Sequence, residues 1–291
     1  MKAGGEAIGA TMTKMDQANE ERELYDLEID LFLEAIYQRY RHDFRAYARP
    51  TLRRRMRQAL TSFGYESLSQ LQHHVLRDAT TFGRVLGYLT VQVSDVFRDP
   101  PFYEALRARV LPVLATYPTI KLWVAGCGTG EEVYSLAILL DEAQLLSRAI
   151  IYATDVSATA LRTAEQGVYD IERAQDFSRN YLRSGASRSL SDYYTAAYDK
   201  IGFDRRLREN VVFSDHSLAT DHVFAEVQLI TCRNVLIYFD QSLRERALGL
   251  FHASLVRRGF LGLGSKENLR SSTQREAFAE LDRENRIYER R

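Results

Sequence analysis

The chain has 291 residues, of which 45% are apolar and 27% are charged, the composition of a globular protein with a buried core. Its 39 basic residues balance its 39 acidic residues, so no overall field would draw it to nucleic acid or to anionic lipid. The two cysteines, Cys127 and Cys232, are too few and too far apart for a disulfide scaffold or a zinc site, which predicts a cytoplasmic protein without a metal.

The first part of the chain predicts a tail followed by helices. Residues 1–20 are small and polar without a period, and we expect a mobile tail with neither an export signal nor a membrane anchor. From 21 to 90 the apolar residues recur at helical spacing, with Gly64 ending one helix and Ser67 capping the next. Residues 91–116 are interpreted as a linker and domain junction.

Residues 117–291 change to short apolar runs separated by helical stretches. This alternation predicts a doubly wound α/β domain, in which a mostly parallel sheet is covered by helices on both faces. The stretch from about 168 to 210 breaks the alternation, and we interpret it as a small inserted subdomain with short strands near residues 193–198. The predicted strands of the main sheet are 121–125, 149–153, 211–213, 227–231 and 260–263.

A glycine-rich turn joins the first predicted strand to a helix and is a candidate cofactor site. Gly126 and Gly128 allow a tight turn and close approach of the backbone to a ligand, and the start of the helix adds free amides. A dinucleotide fingerprint would need glycine at position 131, where the chain has Glu131 followed by Glu132. Two carboxylates favour a cationic cofactor over a pyrophosphate. We favour Glu131 as the ligand, because Glu132 could equally serve the dipole of the helix.

Asp155 ends the second predicted strand and is the candidate for holding a ribose. An acceptor at the carboxyl end of this strand can take both ribose hydroxyls of a nucleoside. The alternative is that Asp155 only caps the helix that begins near Ser157, although Ser157 could provide that cap itself.

Further polar residues follow the domain junction and the fourth predicted strand. Arg98 lies at the junction, where a substrate cleft is expected, and Arg233, Asn234 and Tyr238 lie where a substrate over the carboxyl edge of the sheet would meet them. The alternatives are that Arg98 is a surface arginine paired with a neighbouring aspartate and that Tyr238 only anchors the next helix.

The run Arg233-Asn234-Val235-Leu236-Ile237-Tyr238-Phe239, with the glycine turn, resembles the CheR-type chemotaxis-receptor glutamate methyltransferases. The resemblance extends from about Tyr25 to the end. It implies a class I S-adenosylmethionine-dependent methyltransferase fold with an N-terminal helical domain and a small inserted β subdomain. It also implies a protein-glutamate O-methyltransferase that uses S-adenosylmethionine, releases S-adenosylhomocysteine, needs no metal and esterifies the cytoplasmic domains of methyl-accepting chemotaxis receptors.

The residues and the resemblance together define a predicted site. The resemblance implies catalytic roles for Arg98, Arg233 and Tyr238. The predicted cofactor-binding residues are Gln92, Ser94, Arg98, Gly126, Gly128, Glu131, Asp155, Ser217, Leu218, Arg233 and Asn234. These side chains would bind the methyl donor and orient the incoming carboxylate.

Several positions depart from the family pattern. Ser94 replaces a threonine, Val96 replaces a phenylalanine, and Ser217 replaces the asparagine that often contacts the adenosine. The usual Gly-x-Ser-Glu after the fifth strand occurs as Gly264-Ser265-Lys266-Glu267. The contact at Ser217 is therefore open.

A basic helix that begins near Thr51 is the candidate receptor-binding surface. Arg53, Arg54, Arg55 and Arg57 form a positive patch, and the resemblance implies that this helix, with Arg53, Arg54 and Arg57 as its substrate-binding residues, faces the acidic methylation helices of receptors. The alternative is an ordinary solvated face. In some family members the inserted subdomain also binds a tethering peptide of the receptor. The sequence of residues 168–210 does not decide whether this subdomain does so. We expect a monomer.

The expected reaction needs no general base. A glutamate side chain has a pKa of about 4.3 and is already ionised at neutral pH, so none of the six histidines is assigned to catalysis. A signalling scaffold that binds S-adenosylmethionine without transferring its methyl group is the alternative function. A nucleic-acid methyltransferase is disfavoured, because neither a base-flipping motif nor an overall basic charge is present.

Overall fold

The computed structural model describes residues 14–90 and 94–291, and its first part is a domain of four helices. The helices are α1 Lys14–Tyr40, α2 Arg49–Phe63, α3 Leu68–Val75 and α4 Ala79–Leu89. Two predicted boundaries are confirmed: Gly64 ends α2 with a left-handed φ of 73°, and the Ser67 side chain accepts a hydrogen bond from the Gln70 amide at the start of α3. Apolar side chains from all four helices share one buried core.

The first helix starts earlier than the sequence indicated. α1 begins at Lys14, so residues 14–20, which the sequence predicts to be part of a mobile tail, are helical. The side chains of residues 15–20 are exposed and do not join the core, which is why no apolar period marks them. Residues 1–13 of the expected tail lie outside the described part of the chain. No helix within the described ranges is long and apolar enough to cross a membrane.

The second part of the chain is an α/β domain. The segment from the junction consists of α5 Pro100–Ala105, a π-helical turn Leu106–Val110 and α6 Leu111–Leu114. The main strands are β1 Ile120–Ala125, β2 Ala149–Asp155, β6 Val211–Asp215, β7 Val227–Cys232, β8 Leu255–Leu263, β9 Phe278–Asp282 and β10 Ile287–Arg290. The helices between them are α7 Glu131–Glu142, α8 Ala158–Gln166 and α10 Gln241–Ser254, with short 3-10 turns at Leu146–Arg148, Leu236–Tyr238 and Thr273–Ala277.

The seven strands of the main sheet lie in the order β6-β2-β1-β7-β8-β10-β9. The first five pair in parallel and the last two are antiparallel, so the predicted doubly wound, mostly parallel sheet is confirmed. Each β1 residue faces the side opposite to its neighbour: Leu122 packs in one core cluster with α7, and Trp123 packs in another with α10. Strands β9 and β10 were not predicted, because charged residues interrupt their short apolar runs.

The inserted subdomain lies between α8 and β6. It contains β3 Val168–Asp170, α9 Ala174–Arg183, β4 Tyr194–Ala197 and β5 Lys200–Phe203, with 3-10 turns at Ile171–Arg173, Leu190–Tyr193 and Arg205–Arg208. The three strands form an antiparallel sheet in the order β3-β5-β4. The strands expected near residues 193–198 are confirmed by β4.

The helical domain packs against the loop that follows β7. The Ala48 amide donates to the Tyr238 carbonyl at 2.8 Å, and the Asp240 amide donates to the Ala46 carbonyl at 2.9 Å. The rings of Tyr47 and Phe239 are 5.2 Å apart between centroids. These contacts bring the helical domain to the carboxyl edge of the parallel strands.

Candidate active site

A cleft lies between the helical domain and the carboxyl edge of the sheet. It encloses about 740 Å³ of empty space, counting the part that is open to solvent. Tyr47, Leu89 and Thr90 come from the helical domain, and the other lining residues come from the junction, from the ends of β1 and β2, from the first turn of α7 and from the loops after β1 and β7. The cleft brings together eight predicted site residues: Ser94, Arg98, Gly126, Gly128, Asp155, Arg233, Asn234 and Tyr238.

The turn after β1 lines the cleft with two glycines, whose backbone carries no side chain. Gly126 has a φ of 71°, and a Cβ there would lie 2.6 Å from a methyl group of Val235, so close packing requires this glycine. Gly128 has a φ of 54°, and a Cβ there would meet no atom within 4 Å. Because Gly128 lines the cleft, its open side leaves room for a ligand against the backbone.

Asp155 ties the glycine turn to the end of β2. Its two carboxylate oxygens accept hydrogen bonds of 2.9 Å from the amides of Gly128 and Ser157. Burial raises the pKa of Asp155, and these amide donors oppose the rise. The cap of α8 is Ser157, whose hydroxyl accepts from the Ala160 amide, so the alternative that Asp155 only caps this helix does not hold. Asp155 lines the cleft, and its predicted contact with a ribose stays a prediction.

The two acids at the start of α7 lie in different surroundings. Glu131 is fully buried, accepts from the Thr129 hydroxyl at 2.7 Å and pairs with Arg173 at 2.7 Å. Burial raises the pKa of Glu131, and both of these partners oppose the rise. Glu132 lines the cleft, where one oxygen is 3.1 Å from the Arg233 guanidinium. The cleft wall is thus formed by Glu132 and not by Glu131, whose role as a ligand stays a prediction.

Arg233 is buried in the cleft wall, with 1% of its side chain exposed. It pairs with Asp99 at 2.9 Å and with Glu132, donates to the Arg98 carbonyl at 2.9 Å, and lies 4.2 Å from the ring centre of Phe102. Burial acts to lower the pKa of Arg233, but the neighbouring groups, Glu132 foremost, outweigh it, so the pKa is raised. Arg233 therefore holds the junction against the start of α7.

Arg98 lies between two residues with strained backbones. Phe97 and Asp99 have φ angles of 53° and 57°. Such left-handed conformations cost about 1–3 kcal/mol each and persist where other contacts hold them. The Phe97 amide donates to the Ser135 hydroxyl at 2.8 Å, and Asp99 pairs with Arg233. These contacts fix the backbone of Arg98 at the cleft.

A buried carboxylate organises the loop after β7. Glu267 is 4% exposed and accepts from the amides of Gly264, Asn234 and Ile237 at 2.7, 3.0 and 3.2 Å. Asn234 is held there in a left-handed conformation, with a φ of 61°. Glu267 thus anchors the loop that carries Asn234 and Tyr238, which explains a glutamate in the altered Gly264–Glu267 motif.

A second cavity of about 430 Å³ continues from the cleft. The two share Tyr47, Gly126, Asp155 and Val235 among their lining residues. Ser217 and Leu218, the predicted adenosine contacts, line this second cavity together with His42 of the helical domain. Burial lowers the pKa of His42, so it is neutral over more of the pH range than an ordinary histidine. Across the described residues, no group of three or more histidine, cysteine and acidic side chains could hold a metal ion.

The predicted substrate-binding arginines lie on α2, outside the cleft. Arg53 is bound to Asp26 of α1 by hydrogen bonds that include one of 2.6 Å, and Arg57 lies 5.3 Å from the ring centre of Tyr25. Arg54 is exposed. Their binding of a substrate stays a prediction. Gln92, another predicted site residue, lies outside the described residues.

The sequence places Arg55 in the positive patch of α2, and this is wrong: the structure buries Arg55, and a signal for its burial was present. Arg55 is 4% exposed, donates to the Leu89 carbonyl at 2.6 Å and lies 4.5 Å from the ring centre of Tyr238. It stands three residues after the buried Leu52 and four before the buried Ala59, which is the spacing of a helix face turned inward. Sequence reasoning missed Arg173, which had no local signal, because its partners are distant in sequence.

Comparison with known proteins gives matches over both domains. Residues 27–90 match the model of the CheR methyltransferase all-alpha domain, and residues 92–285 match that of the CheR methyltransferase SAM binding domain. The chain is 51% identical over 263 residues to "Putative methyltransferase Cher3" of Pseudomonas putida, covering 90% of this chain and 96% of that one.

More distant relatives agree. A "Chemotaxis protein methyltransferase" of Listeria monocytogenes is 29% identical over 229 residues, which cover 78% of this chain and 84% of that one. A "Chemotaxis protein methyltransferase" of Vibrio parahaemolyticus is 29% identical over 235 residues, which cover 77% of this chain and 82% of that one. The chain belongs to the CheR methyltransferase family, and its α/β domain is the S-adenosylmethionine-binding domain of a class I methyltransferase.

Proposed function

We propose that this protein transfers the methyl group of S-adenosylmethionine to glutamate side chains in the cytoplasmic domains of methyl-accepting chemotaxis receptors. One observation carries the proposal: a single cleft between the two domains gathers Arg98, Asn234 and Tyr238 with Asp155 and Glu132. The acids suit a cationic nucleoside donor, and the arginine and phenol suit a carboxylate acceptor.

The residues present fit the methyl donor. Glu132 has one carboxylate oxygen, Oε1, that is buried and accepts no hydrogen bond from any part of the chain that the structure describes. A cationic group bound in the cleft would satisfy it, and an unpaired buried carboxylate oxygen is otherwise costly. Asp155 would accept the ribose hydroxyls, and the open backbone at Gly128 would lie against the ligand. Ser217 and Leu218 of the adjoining cavity would hold the adenine end.

The proposed chemistry is a direct displacement. The bound donor supplies an electrophilic methyl group, whose bond to sulfur breaks as its bond to a glutamate oxygen forms. The acceptor carboxylate is ionised at neutral pH, so no proton has to be moved and no side chain need act as a base. Because the reaction neutralises opposite charges, water would stabilise the separated reactants more than the transition state. The protein therefore contributes by aligning the reactants and excluding water.

Arg98 and Tyr238 would orient the acceptor carboxylate. Arg98 would attract it, while too tight an ion pair would make the carboxylate less nucleophilic, so an orienting contact suits the reaction better than a buried clamp. Tyr238 lies on the opposite segment of the cleft, in the loop held by Glu267. Arg233 would act indirectly, because its guanidinium is already engaged by Asp99 and Glu132.

The receptor assignment is supported by the names of relatives and by the surface of α2. The Listeria and Vibrio relatives are named as chemotaxis protein methyltransferases. On α2, Arg54 and Arg57 are exposed, and they would attract an acidic helix. A receptor in the cytoplasmic space is therefore the partner that we propose.

The test is methylation of receptor cytoplasmic fragments with radiolabelled S-adenosylmethionine. We expect label that is released as methanol by mild alkali, and mass spectrometry should map it to glutamates on the receptor helices. The matched controls are fragments with those glutamates replaced by alanine and the Asp155→Ala variant of the protein, both of which should remove the label. Alkali-stable label, or label on nucleic acid, would overturn the proposal. S-adenosylhomocysteine binding without an ester on any fragment would replace it with a signalling scaffold.

A further inference from the structure

Arg173 belongs to the inserted subdomain, yet its guanidinium reaches both segments that border the cleft. One nitrogen, Nη1, lies 2.7 Å from the Glu131 carboxylate at the start of α7. The other, Nη2, lies 3.2 Å from the Asp95 carboxylate and also donates to the Ser94 carbonyl at the junction. The group is stacked 4.6 Å from the ring centre of Phe177, which is fully buried. The subdomain thus holds this arginine firmly.

Two other hydrogen bonds join the inserted subdomain to the segments that border the cleft. The Tyr169 hydroxyl of the subdomain donates to the Thr129 carbonyl in the glycine turn at 2.7 Å. The Asn180 side chain of the subdomain donates to the Val96 carbonyl at the junction at 3.3 Å. The glycine turn and the junction are therefore each bound to the inserted subdomain, and Arg173 contacts both the junction and Glu131, the residue that follows the turn.

The burial of Glu131 makes the position of the first turn of α7 depend on Arg173. Its carboxylate is fully buried, and a buried charge is tolerated only when it is paired and hydrogen-bonded. The neighbouring residue, Glu132, forms the cleft wall. A displacement of Arg173 would therefore move the first turn of α7, and with it the acid that faces the cleft.

We propose that Arg173 is a positioning residue for the methyl donor: it holds the buried Glu131 in the first turn of α7 and, beside Arg233, helps to set the spacing between that turn and the junction, so that donor affinity depends on the inserted subdomain. This inference rests on the proposed function only in using the same donor site. It assigns Glu131 an indirect role, as the group through which Arg173 acts. A change in the subdomain that displaces Arg173 would then alter donor binding.

The test is calorimetric binding of S-adenosylhomocysteine, which needs no receptor and no turnover. Arg173→Ala should weaken binding by about tenfold, the size of a typical coupling between two sites. The matched control is Arg206→Ala, because Arg206 also joins the subdomain to α7, pairing with Asp141 at 2.7 Å. Asp141 is ten residues beyond Glu131, about 15 Å along the helix. Binding by this control should stay within about twofold of wild type.

A double-mutant cycle separates the indirect role from a direct one. If Arg173 acts through Glu131, Glu131→Gln should weaken binding little further once Arg173 is alanine. If Glu131 contacts the donor directly, the two losses should multiply, and the inference is overturned. The inference is also overturned if a folded Arg173→Ala variant binds S-adenosylhomocysteine as tightly as wild type does. It is likewise overturned if Arg206→Ala weakens that binding as much as Arg173→Ala does.

A second variant, Arg173→Lys, tests the inference if Arg173→Ala does not fold. Arg173→Lys keeps the charge but cannot bridge two sides with a planar fork, so it should bind with an intermediate loss; wild-type affinity in this variant would contradict the bridging role. If the wild-type protein methylates no receptor but the variants still differ in S-adenosylhomocysteine binding as expected, the proposed function is refuted and this inference stands.

Discussion

The guanidinium of Arg55 lies 4.5 Å from the centre of the Tyr238 ring, and its Nη1 donates a 2.6 Å hydrogen bond to the Leu89 carbonyl. Leu89 ends α4 and lines the cleft, as does Tyr238. One buried side chain on α2 therefore links the end of α4 to the loop after β7. The helical domain orients Tyr238 through this contact as well as through the backbone bond from Ala48.

Replacing Arg55 with methionine should lower kcat by about tenfold, because it removes a cation–π contact and a charge-assisted hydrogen bond that hold the Tyr238 ring. Arg55 does not line the cleft, so S-adenosylhomocysteine affinity should change by less than about threefold. Steady-state methylation and calorimetry measure the two quantities. Arg55→Lys, which keeps the charge, should recover part of kcat.

The control for Arg55 is Arg84→Met. Arg84 also stacks on an aromatic ring of the helical domain, 4.3 Å from the centre of Phe63, but neither residue lines the cleft. Its replacement should leave kcat unchanged. An equal loss of kcat in both variants, or a loss of donor affinity as large as the loss of kcat at Arg55, would contradict the positioning role.

Arg233 should matter for stability as much as for catalysis. Arg233→Met leaves Glu132 and Asp99 without their buried partner, and breaking such a pair costs about 3–5 kcal/mol of unfolding free energy. Thermal or denaturant unfolding measures the loss. The control is Arg258→Met, because the Arg258 pair with Glu289 lies on the surface with 77% of the arginine side chain exposed, and its loss should not change Tm measurably. Equal stability of the two variants would refute the role given to Arg233.

The elements that could be predicted from sequence are those whose signals are local. The glycine turn, the strand ends near Asp155 and Cys232, and the caps at Gly64 and Ser67 each depend on residues within a few positions of one another. The family motif placed Arg98 and Tyr238 in one cleft for the same reason, since each follows a recognisable segment. Local patterns together with the family resemblance therefore predicted most of the cleft.

The parts that could not be predicted depend on contacts between distant segments. Nothing near Glu131 shows that Arg173, 42 residues later, binds it, and the sequence favoured Glu131 over Glu132 as the acid at the cleft. The choice depends on which way the first turn of α7 faces, and the fold decides that. In the same way, four arginines of α2 were interpreted as one patch, whereas Arg55 is buried and Arg53 is engaged by Asp26 within the helical domain.

Asp155 should make donor binding sensitive to acid. Burial raises its pKa, so on acidification it is protonated at a higher pH than an ordinary aspartate, and it then loses acceptor capacity. S-adenosylhomocysteine affinity should fall as the pH drops through that raised pKa and should be full above it. Calorimetry over a pH series measures this fall, which a variant without an ionisable group at 155 should lack.

Asp155→Asn should weaken S-adenosylhomocysteine binding by about tenfold to a hundredfold at neutral pH, because an NH2 group replaces one of the two carboxylate oxygens that accept from Gly128 and Ser157, and it cannot accept a hydrogen bond. Asp215→Asn is the control: Asp215 ends the adjacent strand beside Asp155 but lines neither cavity, and its replacement should leave affinity within about threefold. Unchanged affinity in Asp155→Asn, or the wild-type pH dependence in that variant, would refute the ribose assignment.

The exposed arginines of α2 should govern the Michaelis constant for the receptor and not the chemical step. Arg54→Glu with Arg57→Glu should raise KM by about tenfold at low salt and should flatten its dependence on salt, because screening at about 0.15 M already weakens such attraction. The control is Arg257→Glu with Arg258→Glu, an equal change in charge at the start of β8, on the sheet edge opposite to the cleft. If both pairs raise KM alike, net charge alone explains the effect, and α2 is not the docking surface. Donor affinity should be unaffected in either pair, since none of these arginines lines the cleft.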